Sequence, residues 1–232
     1  MGRLGLPHLH LRETGSTNDR ARALAIAGAP HGTLVTADAQ TSGRGRQGRV
    51  WSAPPGHALL LSVVLRRPPA LLPLHAAVAV AETVASAAPS AAVGIKWPND
   101  VHLDGRKVAG ILAEGRPQEG WAVLGIGLNV ALRIEDLPSE LHGTAATLGL
   151  DPSQRGAVLT VLLAQLERAL ALSAGDLLDA WRARDVLRGR EVRWTGGAGT
   201  AAGVDGEGRL VVELDGGGRT ALDAGEVHLG RA

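Results

Sequence analysis

The feature that most constrains this chain is its shortage of aromatic residues. Its 232 residues include five Trp and neither Phe nor Tyr, although hydrophobic residues make up 45% of the sequence. Ala, Leu and Val must therefore fill most of the core, and small side chains achieve native packing density only when helices and sheets interdigitate closely. We expect one large domain, or a domain of about 180 residues with a small appendage.

Composition also excludes several classes of protein. The chain has no cysteine, which excludes a disulfide-held secreted fold, thiol catalysis and Cys-ligated zinc. No apolar run approaches the roughly 18 residues of a membrane span, and the first residues lack the apolar core of a signal peptide. The net charge of +1 argues against a general nucleic-acid-binding surface. We therefore predict a cytoplasmic protein with neither membrane nor nucleic acid as a partner.

Hydrophobic periodicity and turn residues predict an α+β fold. Its main part is a mixed or antiparallel sheet with helices packed on one face, and short β-runs after residue 189 predict a small C-terminal β-barrel. We place the domains at residues 1–187 and 188–232. The predicted strands are 8–12, 33–37, 58–65, 93–96, 107–113 and 121–130. The predicted helices are one ending near Gly28, then 72–88, 152–173 and 176–184, while 131–147 is predicted as a loop.

The most unusual segment is the loop Gly43-Arg-Gly-Arg-Gln-Gly-Arg49, which holds three arginines and three glycines. Glycine permits close approach of the backbone to a ligand, and arginine offers a fixed fork to phosphate or carboxylate oxygens. The spacing fits neither a Walker A loop nor a dinucleotide fingerprint. A solvated basic loop and an RNA contact remain alternatives. As a phosphate site, the loop is predicted to be a mobile lid that orders on a ligand.

Rare residues cluster in three further motifs. Against 22 Arg, the only lysines are Lys96 and Lys107, and the only asparagines are Asn18, Asn99 and Asn129. Lys107 opens an apolar β-run, where a buried ammonium needs an anion. Alternatively, Lys107 is a strand-end lysine exposed to solvent. The glycines of the Gly-Ile-Gly-Leu run at 125–128 leave space for a flat ligand or, alternatively, allow close packing of a helix on the sheet. His8 and His10 are spaced as a metal-binding pair would be, but two exposed side chains on an edge strand are the favoured interpretation.

Together these motifs resemble those of the biotin–protein ligases, also called biotin–[acetyl-CoA-carboxylase] ligases. A lone Gly-Arg-Gly-Arg is weak, but five motifs in the same order and spacing, from about residue 8 to 230, are specific. The five matching motifs are Ser16-Thr17-Asn18, Gln40 with the 43–49 loop and Trp51, Lys96-Trp-Pro-Asn-Asp100, Gly105-Arg-Lys107-Val-Ala-Gly-Ile-Leu and Gly125-Ile-Gly-Leu-Asn129. In addition, the C-terminal Ala224-Gly-Glu-Val227 resembles the end of the family's small β-barrel.

The resemblance implies two half-reactions: ATP activates biotin to biotinoyl-5′-AMP, and a carrier lysine then takes the biotinyl group. It implies Lys107 and Arg46 as catalytic residues, and Mg²⁺ held through the ATP phosphates with no certain protein ligand. The implied biotin-binding residues are Ser16, Thr17, Asn18, Gln40, Gly43, Arg44, Gly45, Arg46, Lys107, Gly110 and Gly127. The implied nucleotide-binding residues are Arg44, Arg46, Arg49, Trp51, Lys96, Asn99 and Asn129.

The resemblance further implies an SH3-like C-terminal barrel, a homodimer, and a biotin carboxyl carrier protein of acetyl-CoA carboxylase as the partner. Some family members carry an N-terminal DNA-binding domain, but only fifteen residues precede Ser16, so we expect the catalytic form alone. A lipoate–protein ligase of the same fold is the nearest alternative. A non-enzymatic RNA-binding module is disfavoured because the chain lacks aromatic stacking platforms.

Overall fold

A seven-stranded sheet forms the centre of the computed structural model, which describes residues 3–223 and 227–229. Its strands stand in the order β1-β2-β3-β7-β6-β5-β4. β1 and β2 are parallel and every other pair is antiparallel, so the predicted mixed sheet is confirmed. The strands are β1 (His8–Thr14), β2 (Leu34–Gln40), β3 (Ala58–Arg66), β4 (Val93–Lys96), β5 (Asp100–Leu103), β6 (Arg106–Arg116) and β7 (Trp121–Asn129).

Of the four α-helices in the described residues, three cover one face of this sheet, the arrangement predicted for all of them. They are α2 (Leu72–Ala87), α3 (Arg155–Leu170) and α4 (Ala174–Arg182). α2 lies directly on the sheet and is buried on nearly all sides, and four of its alanines, at positions 76, 77, 79 and 81, are fully inaccessible. Small side chains let α3 and α4 pack closely against α2, which is the interdigitation that the composition predicts.

The first helix, α1 (Thr17–Ile26), departs from the one-faced arrangement. It packs on the opposite face, where Ala21 and Ala25 contact Val35, Val64 and Val123 in a separate small core. Successive strand residues point to opposite faces, so the residues that alternate with these valines face α2. A ten-residue helix covers only part of this second face. The uncovered part, over the glycines of β6 and β7, holds the cavity described below.

The parallel pairing of β1 and β2 brings two polar segments to one end of the sheet. Thr14 pairs with Gln40 at the last step of the ladder. Beyond it, Thr41 and Ser42 donate backbone hydrogen bonds to the carbonyls of Thr14 and Gly15, at 3.0 and 2.9 Å. The turn that begins α1 and the glycine-rich loop that follows β2 therefore start side by side, although some 25 residues separate them.

A second, antiparallel sheet follows α4, in the order β11-β10-β9-β8-β12. Its strands are β8 (Glu191–Trp194), β9 (Gly197–Val204), β10 (Leu210–Leu214), β11 (Arg219–Leu222) and β12 (His228–Leu229). Its inner residues Val192, Leu210 and Val212 belong to the same core as α2, and Trp97 donates to the carbonyl of Gly208 at 3.0 Å. Within the described residues the ladder stays open. Closure into an SH3-like barrel and a domain boundary at 187/188 therefore stay predictions.

The structure also bears on the predicted hairpin, the histidine pair and the C-terminal motif. The Asp104-Gly105 hairpin between β5 and β6 is confirmed, and both residues have the positive φ that such a turn requires, 49° and 78°. His8 and His10 are exposed and both contact the Thr36 hydroxyl, at 2.8 and 2.9 Å. Among the described residues no cluster of potential ligands could hold a metal, and no helix has the length and apolarity of a membrane span. Residues 224–226 of the last motif lie outside the description.

Candidate functional site

A cavity of about 500 Å³ opens on the sheet face that α1 leaves uncovered. The lining comes from the start of α1, the glycine-rich loop, β4 to β7, the 131–147 loop and Val227 of the C-terminal sheet. All sixteen predicted site residues except Gly43 line it. Gly43, the first residue of the loop, contacts the chain at Trp51 instead: a Cβ there would meet the Trp51 carbonyl, so this position is restricted to glycine by packing.

A buried polar network forms one end of the cavity. Gln40 Oε1 accepts hydrogen bonds from the Thr17 backbone N–H (2.7 Å) and hydroxyl (3.1 Å), which caps the start of α1. Ser62 of β3, fully buried, lies 2.8 Å from the Thr17 hydroxyl and donates to Asn18 Oδ1 at 2.6 Å. Sequence reasoning missed Ser62, whose only signal is a hydroxyl within the apolar run of β3. The network fixes the side chains of Thr17 and Asn18 before any ligand arrives.

Two glycines make room for Trp51 in the middle of the cavity. A Cβ at Gly110 would meet Trp51 Cζ3 at 2.9 Å, and a Cβ at Gly127 would collide with the same indole. The two glycines pair across β6 and β7, so they form a flat floor beneath the ring. Trp51 Nε1 is buried and makes no hydrogen bond, leaving a donor that a ligand could satisfy. The space that these glycines leave is occupied by the Trp51 indole, and contact of the glycines with a flat ligand stays a prediction.

Cations dominate the next part of the cavity. The lining residues Lys96, Lys107, Arg46 and Arg49 lie around Asp100, the one carboxylate among the described lining residues. Lys107 Nζ forms an ion pair with Asp100 at 2.8 Å and lies 5.5 Å from the centre of the Trp51 ring. One carboxylate cannot neutralise the three cations Lys96, Lys107 and Arg46, so this end of the cavity is suited to an anion.

The pKa shifts of this cluster follow from burial and mutual repulsion. Burial lowers the pKa of Lys96; Asp100 raises it, while Lys107 and Arg49 lower it further. Burial likewise lowers the pKa of Arg46, against the opposing effect of Asp100. His102, another lining residue that sequence reasoning did not single out, has its pKa lowered mainly by burial. A bound anion would stabilise the protonated forms of all three groups.

Asn99 connects this cluster to the sheet. Its amide donates to the Ile111 carbonyl at 2.8 Å, and its Oδ1 accepts from Arg46 Nη1 at 3.4 Å. Asn129 similarly donates to the Ala146 carbonyl, at 2.9 Å. Both predicted nucleotide-binding asparagines thus make structural hydrogen bonds with their amide groups. They shape the cavity wall, and a nucleotide could bind only to hydrogen-bonding groups of these side chains that are not already paired.

Arg44 is engaged differently from the prediction. The sequence suggests that it offers its guanidinium to ligand oxygens, but its Nη2 contacts Asp19 Oδ1 at 2.6 Å and Glu114 Oε2 at 3.1 Å. Two carboxylates already satisfy this cation, whereas Arg46 of the same loop points toward the cation cluster. Sequence reasoning missed the partners because they come from α1 and β6, far apart along the chain.

The 131–147 loop supplies an apolar wall. Its residues Leu132, Leu137 and Ala145 form a small core of their own and line the cavity. The end of the loop is fixed beside Lys107, because the Lys107 N–H donates to the Thr144 carbonyl and the Ala146 N–H donates to the Lys107 carbonyl, at 2.7 and 2.8 Å. An apolar wall next to a cationic cluster suits a ligand with a flat apolar part and a phosphate.

Comparison with known proteins agrees with this geometry. The pattern of the biotin/lipoate A/B protein ligase family matches residues 11–130. The chain is 39% identical to a biotin–[acetyl-CoA-carboxylase] ligase of Mycobacterium tuberculosis, over 94% of this chain and 87% of that protein. It is 32% identical to a ligase of the same name from Paracoccus denitrificans, over 95% and 99% of the two chains.

Solved structures give the same result for the fold. The biotin protein ligase of Aquifex aeolicus, in complex with biotin and ATP, superimposes with a TM-score of 0.81 at 28% identity, covering 97% of this chain and 99% of that one. The family match extends over more than half of the chain and includes α1, the glycine-rich loop, the cation cluster and the glycines under Trp51. On this basis the chain belongs to the biotin/lipoate A/B protein ligase family.

Proposed function

We propose that this protein is a biotin–protein ligase, which activates biotin with ATP and transfers the biotinyl group to a lysine of a biotin carboxyl carrier protein. The observation that carries the proposal is one cavity with a fixed polar network at one end and, at the other, Lys96, Lys107 and Arg46 around Asp100, the one carboxylate of the described lining. The similarity to ligases named for biotin over nearly the whole chain supports it.

In the first half-reaction the biotin carboxylate attacks the α-phosphorus of ATP. A carboxylate–phosphate bond forms, the bond to the β-phosphate oxygen breaks, and pyrophosphate leaves. Two anions must approach each other, so fixed positive charge between them lowers the barrier most as negative charge accumulates. Lys107 and Arg46 are suited to this role because both line the cationic end of the cavity. Arg46 is held there by the hydrogen bond that it donates to Asn99. Biotin would extend from there toward the Ser16–Asn18 turn.

In the second half-reaction the acceptor lysine, as a neutral amine, attacks the acyl carbon of biotinoyl-5′-AMP. An amide bond forms, the acyl–phosphate bond breaks, and AMP leaves with the electron pair. No nucleophile of the enzyme is needed, which suits a chain without cysteine. The role of this chain is to keep water from the anhydride until the amine arrives, and the glycine-rich loop is positioned to do so.

Mg²⁺ belongs to the proposal as the counter-ion of ATP. Asp100 is the one carboxylate among the described lining residues, and magnesium commonly binds through one or two carboxylates together with substrate phosphates and water. The donor set therefore fits an ion that arrives with the triphosphate. When bound, the ion supplies charge stabilisation at the phosphate oxygens.

The test is ATP–pyrophosphate exchange, measured with biotin, with lipoate and with neither. We expect exchange that depends on biotin and is indifferent to lipoate. The same protein should then add one biotinyl group to an isolated biotin carboxyl carrier domain, seen as a single mass increase. Exchange with lipoate instead would favour the lipoate branch of the family, and no exchange with either would contradict the proposal.

We further propose a homodimer located in the cytoplasm. β1 forms one edge of the large sheet, whereas at β4 a bridge between Ile95 and Asp185 covers the opposite edge. A second copy could extend the sheet beside β1. Sedimentation at micromolar concentration, with and without biotin and ATP, tests this, and a monomer under both conditions would contradict it.

A further inference from the structure

Four charged side chains of alternating sign form a closed ring beside the cavity. Arg22 contacts Glu114 at 2.6 Å and Asp19 at 3.8 Å, while Arg44 contacts Asp19 at 2.6 Å and Glu114 at 3.1 Å. The ring joins α1, β6 and the glycine-rich loop. Its net charge is zero, so it adds nothing to the anion-binding field of the cation cluster.

Glu114 is the member of the ring that also contacts Asn18, a lining residue of the cavity. It is the most buried of the four, with 27% of its side chain exposed. Its Oε2 accepts a hydrogen bond of 2.7 Å from Asn18 Nδ2, whose other end receives the Ser62 hydroxyl. The Asn18 amide is therefore oriented at both ends, and it lies over Gly125, where any Cβ would collide with its Oδ1.

We propose that Glu114 is a positioning residue that couples the glycine-rich loop to the Ser16–Asn18 turn. One carboxylate anchors Arg44, which begins the loop, and orients Asn18 in the polar end of the cavity. The inference deepens the proposed function and rests on it for its catalytic consequence. Its structural part, the anchoring of the loop, is independent of any substrate. Loss of the Glu114 charge should free the loop, and loss of its oxygen should also release Asn18.

Two substitutions separate these effects. Glu114→Gln keeps an oxygen that can accept from Asn18 but removes the charge that holds Arg22 and Arg44. Glu114→Ala removes both. Asp19→Asn weakens the Arg44 anchor without contacting Asn18, and Glu119→Gln is the matched control, because Glu119 lies in the exposed turn after β6 and contacts Arg116 and Trp121 instead.

The first measurement needs no substrate: trypsin cleavage after the arginines of the loop in the unliganded protein. We expect Glu114→Gln and Asp19→Asn each to raise the cleavage rate roughly 5- to 10-fold, as expected for a weakened, partly exposed charge-assisted hydrogen bond. Both act through Arg44, so the double variant should show less than the product of the two effects. About 0.5 M NaCl should speed cleavage of the parent protein more than that of Glu114→Gln.

The second measurement follows the consequence for biotin. Release of preformed biotinoyl-5′-AMP should be roughly 5- to 10-fold faster in both Glu114 variants, while the KM for biotin should rise only in Glu114→Ala. Thermal unfolding verifies that each variant is folded. Cleavage and release rates of Glu114→Gln equal to those of Glu119→Gln would overturn the inference, as would an equal rise in KM for both Glu114 variants. If the parent protein forms no adenylate, the proposed function is contradicted. The cleavage rates still test whether Glu114 anchors the loop through Arg44, because that measurement needs no substrate.

Discussion

Replacement of Lys107 should produce the largest loss of activity in this protein. Its ammonium group lies 2.8 Å from Asp100 and 5.5 Å from the centre of the Trp51 ring, with 33% of the side chain exposed. Lys107→Met removes the charge and keeps most of the apolar stem. The measurement is the single-turnover rate of biotinoyl-5′-AMP formation at saturating biotin and ATP.

The magnitude follows from the charge and its surroundings. A unit charge about 4 Å from a developing anion, at an effective dielectric constant near 20, is worth about 4 kcal/mol, and partial exposure reduces it to about 2–3 kcal/mol. That corresponds to a loss of roughly 30- to 150-fold in rate. Loss of Lys107 also leaves the Asp100 carboxylate without its closest cation.

Lys107→Arg should be nearly as slow as Lys107→Met. The lysine stem passes so close to Gly110 that a Cβ there would lie 3.2 Å from its Cε and Nζ, and the Trp51 indole closes the other side. A planar guanidinium does not fit where a compact ammonium does. Arg106→Ala is the matched control, because this exposed arginine precedes Lys107 on the same strand. A Lys107→Arg variant with the parent rate, or a loss below about threefold in Lys107→Met, would refute the reasoning.

Three further predictions concern packing and pH. Gly125→Ala should raise the KM for biotin and lower the free energy of unfolding by about 1–3 kcal/mol, because the new Cβ collides with the buried Asn18 amide and disturbs its hydrogen bond with Ser62; an unchanged KM would contradict this. ATP affinity should fall as the pH rises through the lowered pKa of Lys96, since an anion favours the charged amine, and this fall should disappear in Lys96→Met when binding is titrated by calorimetry. Burial lowers the pKa of His75, so the neutral form stabilises the fold above the ordinary histidine pKa and this contribution is lost as the pH falls below it. Urea unfolding at neutral and mildly acidic pH should show a smaller acid loss in His75→Gln, and an equal loss would exclude His75 as the cause.

The sequence alone determined the type and order of most elements. Alternation identified β1, and apolar runs bounded by turn residues identified the central strands, because β3 and β7 are buried on both faces. Asp104-Gly105 marked a hairpin because few other residues adopt its positive φ. Five ordered motifs also located the cavity. These residues carry the chemistry of the site itself, so their types and spacing are visible in one dimension.

Tertiary structure decided which face and which partner each side chain has. α1 looked like any other helix, yet it lies opposite the other three because the parallel pairing of β1 with β2 sends the chain across the second face. Arg44 and Arg46 stand two residues apart with the same chemistry. One joins two carboxylates and the other the cation cluster, since neighbouring loop residues point in different directions.

The ion ring of Asp19, Arg22, Arg44 and Glu114 is the clearest example of contacts that the sequence alone does not reveal. Asp19, Arg44 and Glu114 each look like ordinary surface charges in the sequence, separated by 25 and 70 residues. Their contacts depend on the position of α1 on the sheet and on the path of the loop after β2. Local sequence determines conformation over a few residues, whereas pairs of this kind form only when the packed core has set the distances between distant elements.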